Sequence, residues 1–179
     1  MPMVARLLQI VAACMMLAGA PANAQNPTEY DVKAAFLLNF TKFVEWPESV
    51  FESPSAPFRI CIVGEDPFGE TLDKMVEGEK VASHKLVVDR LKRGSSAGGC
   101  EVAFYSKADR NAAQSIAREA PHVLTVGETD EFLHEGGVIR FVLDHNRVRF
   151  DVSQAAARKA ELKVSSKLLN VARKVEDEP

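Results

Sequence analysis

No excess of positive charge is available to this chain: its 179 residues hold 22 Lys and Arg against 25 Asp and Glu, a net charge of −3. That balance offers no basic stripe for a nucleic acid and no polybasic patch for an anionic membrane, and leaves proteins and small molecules as partners. Histidine is scarce too. His84, His122, His134 and His145 form no i, i+4 pair and no Cys/His ligand spacing, so no dedicated metal motif is present. Internal repeats and low-complexity linkers are missing. Past the first 24 residues no apolar run is long enough for a transmembrane helix, which needs about 20 residues.

Enzyme signatures are also lacking. Val63 to Gly69, VGEDPFG, sits where phosphate-binding loops occur, but its two acids would repel an anion, and it reads as a tight strand-to-helix turn. Ser165-Ser166-Lys167 lacks the spacing of an acylating motif and reads as a helix cap. Glu128, Asp130 and Glu131 read as the solvated first turn of a short helix over Glu128 to His134, where acids favour the N-terminus. No catalytic residue, metal or cofactor is therefore expected.

What is present begins with an export signal. Arg6 precedes the apolar run LLQIVAACMMLAGA, and Ala22-Asn23-Ala24 supplies the small-x-small pattern of a cleavage site. Residues 1–24 are expected to be removed, leaving 25–179 as one exported domain. The competing reading, a lipoprotein site at Cys14, would leave the greasy MMLAGA at the new N-terminus. The mature chain keeps 21 basic and 25 acidic residues and only two of the three cysteines, Cys61 and Cys100. In an oxidising compartment a disulfide between them is expected, with two buried free thiols as the alternative.

Thr28-Glu29-Tyr30-Asp31 has capping-box spacing and opens a helix of some 18 residues, ended by Trp46-Pro47. FRICIV (58–63), KLVVDRL (85–91), CEVAFY (100–105) and HVLTVG (122–127) read as strands. Helices are expected at 67–78 and 108–120, an alternation that implies parallel pairing. Residues 137–142 and 147–152 then form a hairpin about Asp144-His145-Asn146. Val148, Phe150 and Val152 share one face of its second strand with charges on the other, the pattern of a half-solvated edge. Helices over 153–160 and 165–175 close the chain, with a frayed EDEP tail. The fold class is α/β: a mostly parallel sheet flanked by helices, with an antiparallel C-terminal hairpin, in a single domain.

The first helix carries an unusual mixture. Phe36, Asn39, Phe40 and Phe43 fall at helical spacing as one stripe, with Lys42 and Glu45 beside them and Trp46, the only tryptophan, at the end. Polar groups beside large rings suit an interface or a shallow ligand pocket; the alternative is that the three phenylalanines are plain core. A ligand-binding sensor module feeding a membrane protein such as a histidine kinase would use a pocket near Asn39, Lys42 and Trp46.

Taken in order, AAFLLNFTKFVEWP (34–47), ICIVGEDPFG (60–69), Cys100 with Phe104, VLTVGE (123–128), GGVIRF (136–141), VRFDV (148–152) and LKVSSKLLNVA (162–172) resemble the YfiR family of exported bacterial proteins. The resemblance covers nearly the whole mature chain. It implies a non-enzymatic repressor of a YfiN-like inner-membrane diguanylate cyclase, bound through its periplasmic part, lowering cyclic di-GMP and biofilm formation. It further implies a YfiB-like outer-membrane lipoprotein that relieves repression, a homodimer, and a bridge at Cys61 and Cys100. One departure stands out: a second disulfide of the family has no counterpart here, because Phe132 to Arg149 contains no cysteine.

Overall fold

Thr28 accepts a hydrogen bond from the Asp31 N–H at 3.2 Å, while the Asp31 carboxylate accepts from the Thr28 N–H at 2.8 Å. This reciprocal cap opens helix α1 (Glu29–Phe43). The computed structural model describes residues 27–108 and 121–177. The expected signal peptide, Cys14 and nearly all of the helix expected at 108–120 lie outside them. Among the described residues no helix is long and apolar enough to cross a membrane.

α1 has 15 residues rather than some 18. It stops early because Val44–Glu45 (β1) is taken into antiparallel pairing with Lys163–Val164 (β9), before Trp46-Pro47 is reached. The main sheet follows from β2 (Phe58–Val63), β3 (Lys80–Val81), β4 (His84–Leu91), β5 (Val102–Tyr105), β6 (Leu124–Gly127), β7 (Ile139–Asp144), β8 (Arg147–Ser153) and β10 (Lys174–Glu176). Its strand order is β10-β8-β7-β6-β5-β2-β4-β3. The stretch from β4 across β2, β5 and β6 to β7 is parallel; β3 and β8 are antiparallel to β4 and β7. Among the described residues three short helices join it: α2 (Glu70–Val76), α3 (Gln154–Lys159) and α4 (Ser166–Val171). The α/β class and the mostly parallel sheet with a C-terminal hairpin are as the sequence implies. His145 and Asn146 both take left-handed backbone angles, φ 47° and 60°, which gives the hairpin a tight two-residue turn.

Strand alternation separates two cores. Phe58, Ile60, Ile62, Val102 and Phe104 meet α1, α2, α3 and α4 on one face. Cys61, Val63, Ala103 and Tyr105 point to the other, where Val123, Phe132 and Leu133 join them. There Cys61 and Cys100 are joined by a disulfide, Cα atoms 6.0 Å apart across 39 residues of sequence. Replacing both by serine is expected to lower unfolding free energy by about 3 to 4 kcal/mol on the chain-entropy account. Urea denaturation of the double variant reads this directly; an unchanged midpoint would assign the bridge no part in stability.

Three local expectations are corrected. Glu128 to His134 is a series of turns, not a helix, and Glu128 is buried, not solvated. The segment folds back so that the Phe132 ring lies between Gly127 and Gly137, where a Cβ on either glycine would collide with it. β8 is not a sheet edge, because β10 pairs parallel to it. The closing helix expected over 165–175 ends at Val171, and 174–176 is that added strand. Arg173 begins the change: its N–H donates to the Phe150 carbonyl at 2.8 Å and its side chain grips Asp151.

Candidate binding cleft at the end of the first helix

In parallel sheets, ligands usually enter at the strand C-termini where the order reverses, which here is between β2 and β5. That place is occupied by α1. Tyr30 packs edge-on against Phe68, which follows β2, with ring centroids 5.7 Å apart. Lys33, 2% exposed, pairs with Glu29 and with Glu128, which follows β6. Glu128 also accepts from the Lys107 N–H, after β5, at 3.1 Å. Burial disfavours the charged Lys33, but hydrogen bonds from its ammonium to Glu128 and Glu29 outweigh this and hold its pKa above the usual lysine value. The VGEDPFG turn is likewise closed: Asp66 caps the Phe68 N–H at 2.8 Å and binds Arg90 at 2.8 Å.

The open site lies at the other end of α1. Beyond β1 the chain runs through Trp46-Pro47 into a short 3-10 turn, Glu48–Val50, and a strap that reaches β2 at Phe58. Trp46 stands edge-on to Phe58 at 4.9 Å and donates its indole N–H to the His122 carbonyl at 2.9 Å. Phe51 stacks on the His84 ring at 3.6 Å, nearly parallel. His84 Nδ1 lies 2.7 Å from the Ala56 carbonyl, so this nitrogen carries the hydrogen, and Ser83 donates to the Pro54 carbonyl at 3.2 Å. The strap is thus fastened to the β3–β4 hairpin, and a cleft of about 780 Å³ opens between them. That volume is in the range of small-ligand pockets.

The seven residues singled out from the sequence divide. Lys42, Glu45 and Trp46 line this cleft. Phe40 has no exposed surface and, with the half-buried Phe36, packs on Phe141 and Phe150 at centroid distances of 5.1 to 6.1 Å. Phe43 is half-buried against the same core. Asn39 is exposed and sits outside the buried stripe, which runs through Lys33, Leu37, Phe40 and Val44. Sequence reasoning missed Phe51, Phe58 and His84 as cleft walls, because a lone histidine and a phenylalanine in a polar loop carry no local pattern that joins them.

A family model described as YfiR/HmsC-like matches residues 30–173. No curated protein matches. Among solved structures, a conserved domain protein from Vibrio cholerae O1 biovar El Tor aligns with a TM-score of 0.49 at 11% identity, over 83% of this chain and 60% of that one. The chain therefore spans less than two thirds of that protein's length.

Proposed function

The chain belongs to the YfiR/HmsC-like family, and from that premise we propose that it is an exported periplasmic regulator that represses an inner-membrane diguanylate cyclase. The family as a whole points to periplasmic regulation of diguanylate cyclase signalling. In this reading the protein binds the cyclase's periplasmic part stoichiometrically, as a homodimer, and lowers cyclic di-GMP and biofilm formation; an outer-membrane lipoprotein relieves the repression. A binding protein transmits a signal only if something distinguishes its free and partner-bound forms. The observation that carries the reading is the length of the family match, which runs from Tyr30 in α1 to Arg173 and takes in the main sheet from β3 to β8, leaving out only the edge strand β10.

Deleting the gene is expected to raise intracellular cyclic di-GMP, and restoring it in exported form to bring the level back. Unchanged cyclic di-GMP on deletion would remove the cyclase as partner and move the role to a ligand-binding sensor feeding another membrane protein, such as a histidine kinase.

A further inference from the structure

The walls of the 780 Å³ cleft can be sorted by what their polar groups are already doing. The donors are mostly spent. Thr41 donates to the Leu38 carbonyl at 2.7 Å, Ser83 to the Pro54 carbonyl and the Trp46 indole to the His122 carbonyl. His84 Nδ1 is committed to Ala56, and the Lys42 ammonium is neutralised by Glu79 at 3.0 Å. Lys80 is the one cation of the lining without an ion pair among the described residues.

The acceptors are free. Glu45, Glu48 and Glu52 line the cleft, and none forms an ion pair among the described residues. His84 is only 8% exposed, and its Nε2 has no hydrogen-bond partner among them. With Nδ1 committed to the Ala56 carbonyl, Nε2 is the ring nitrogen left to meet a ligand. Exposed glutamates alone are ordinary solvated surface. Here they surround a concave wall built from the half-buried Trp46 and Phe51, with the fully buried Phe58 behind it, and exposed ring faces attract cations.

We propose that this cleft binds a small organic cation, an ammonium or guanidinium on a short apolar stem. The stem lies along the aromatic wall, and the head donates to the glutamates and to His84 Nε2. An anion or a neutral acceptor finds few free donors here, so the same inventory sets the selectivity. The site does not depend on which membrane protein is the partner, and it is read on the purified protein alone.

Trp46 is the only tryptophan in the chain and forms part of the wall, so its fluorescence reports occupancy. Titration with agmatine is expected to give a saturable change that weakens with added salt, whereas 1-pentanol and glutamate give none. The triple variant Glu45→Gln, Glu48→Gln, Glu52→Gln changes only exposed side chains and is expected to weaken agmatine at least about tenfold with unchanged circular dichroism. Phe51→Leu, which removes the stacked ring, should weaken it several-fold while leaving the charge intact. Absence of saturation, equal binding of 1-pentanol, or unchanged affinity in the triple variant overturns the proposal. So does saturation by an arginine-containing peptide but not by free agmatine, which would assign the cleft to a protein partner.

Discussion

Asp151→Ala is expected to destabilise the protein by about 3 to 5 kcal/mol, the cost typical of stranding a buried charge. Asp151 has no exposed surface; it accepts from Arg140 at 2.7 Å and from Arg173 at 2.8 and 2.5 Å. Arg140 is 18% exposed and its Nε has no partner, so without Asp151 this largely covered guanidinium keeps, among the described residues, only the Asp130 carbonyl, at 2.5 Å, and no opposing charge. Arg173 is 36% exposed, and its share is screened by water. Urea unfolding measures the loss, and faster hydrogen exchange at Lys174–Glu176 should show β10 detaching. A loss below about 1 kcal/mol would mean the arginines find other partners.

The same carboxylate gives a pH dependence. Burial pushes its pKa up, but hydrogen bonds from Arg173 and then Arg140 outweigh burial and hold it below the usual aspartate value. The unfolded chain therefore binds more protons between the folded pKa and about 3.9, the unfolded value. The contribution is complete above the unfolded value and is lost as pH falls through the folded one. Acid unfolding of Asp151→Asn should lack this component.

Lys33→Met is expected to cost about 3 to 5 kcal/mol as well, because it leaves Glu128, with no exposed side-chain surface, facing, among the described residues, only the Lys107 N–H and the Tyr30 hydroxyl at 3.4 Å. Replacing both partners, Lys33→Met with Glu128→Leu, should recover most of the loss, since buried pairs often break even against apolar residues. A double-mutant cycle gives the coupling; additive losses would show that the two residues do not act as a pair. Lys33's raised pKa fixes the opposite pH limit. Its contribution is complete below the unfolded value of about 10.4 and is lost as pH rises through the still higher folded one.

Much of this structure was legible where a pattern is local. FRICIV matches β2 residue for residue, Thr28 and Asp31 form the expected cap, and the hairpin turns at His145-Asn146. What could not be read depends on distant partners. Residues 128–134 look helical, yet Phe132 is drawn between two glycines from different segments. Charges on 147–152 look solvated, yet Asp151 awaits an arginine 22 residues later. Of the candidate site, Lys42 lies in the helix's last turn and Glu45 and Trp46 follow it directly in the chain. Phe51 and His84 meet only after the β3–β4 hairpin has folded back.

The first helix also sets a schedule. It is synthesised before its partners, but its apolar stripe is completed by Phe141 and Phe150, its buried lysine by Glu128, and its trailing strand by Lys163–Val164. About a hundred residues separate each side of these contacts, and chains dominated by such distant pairings fold slowly. This early segment therefore waits for partners made long after it. Until β7 and β8 arrive, Phe36 and Phe40 lack the rings they pack on, and a truncation that removed those strands would undo the packing of the first helix.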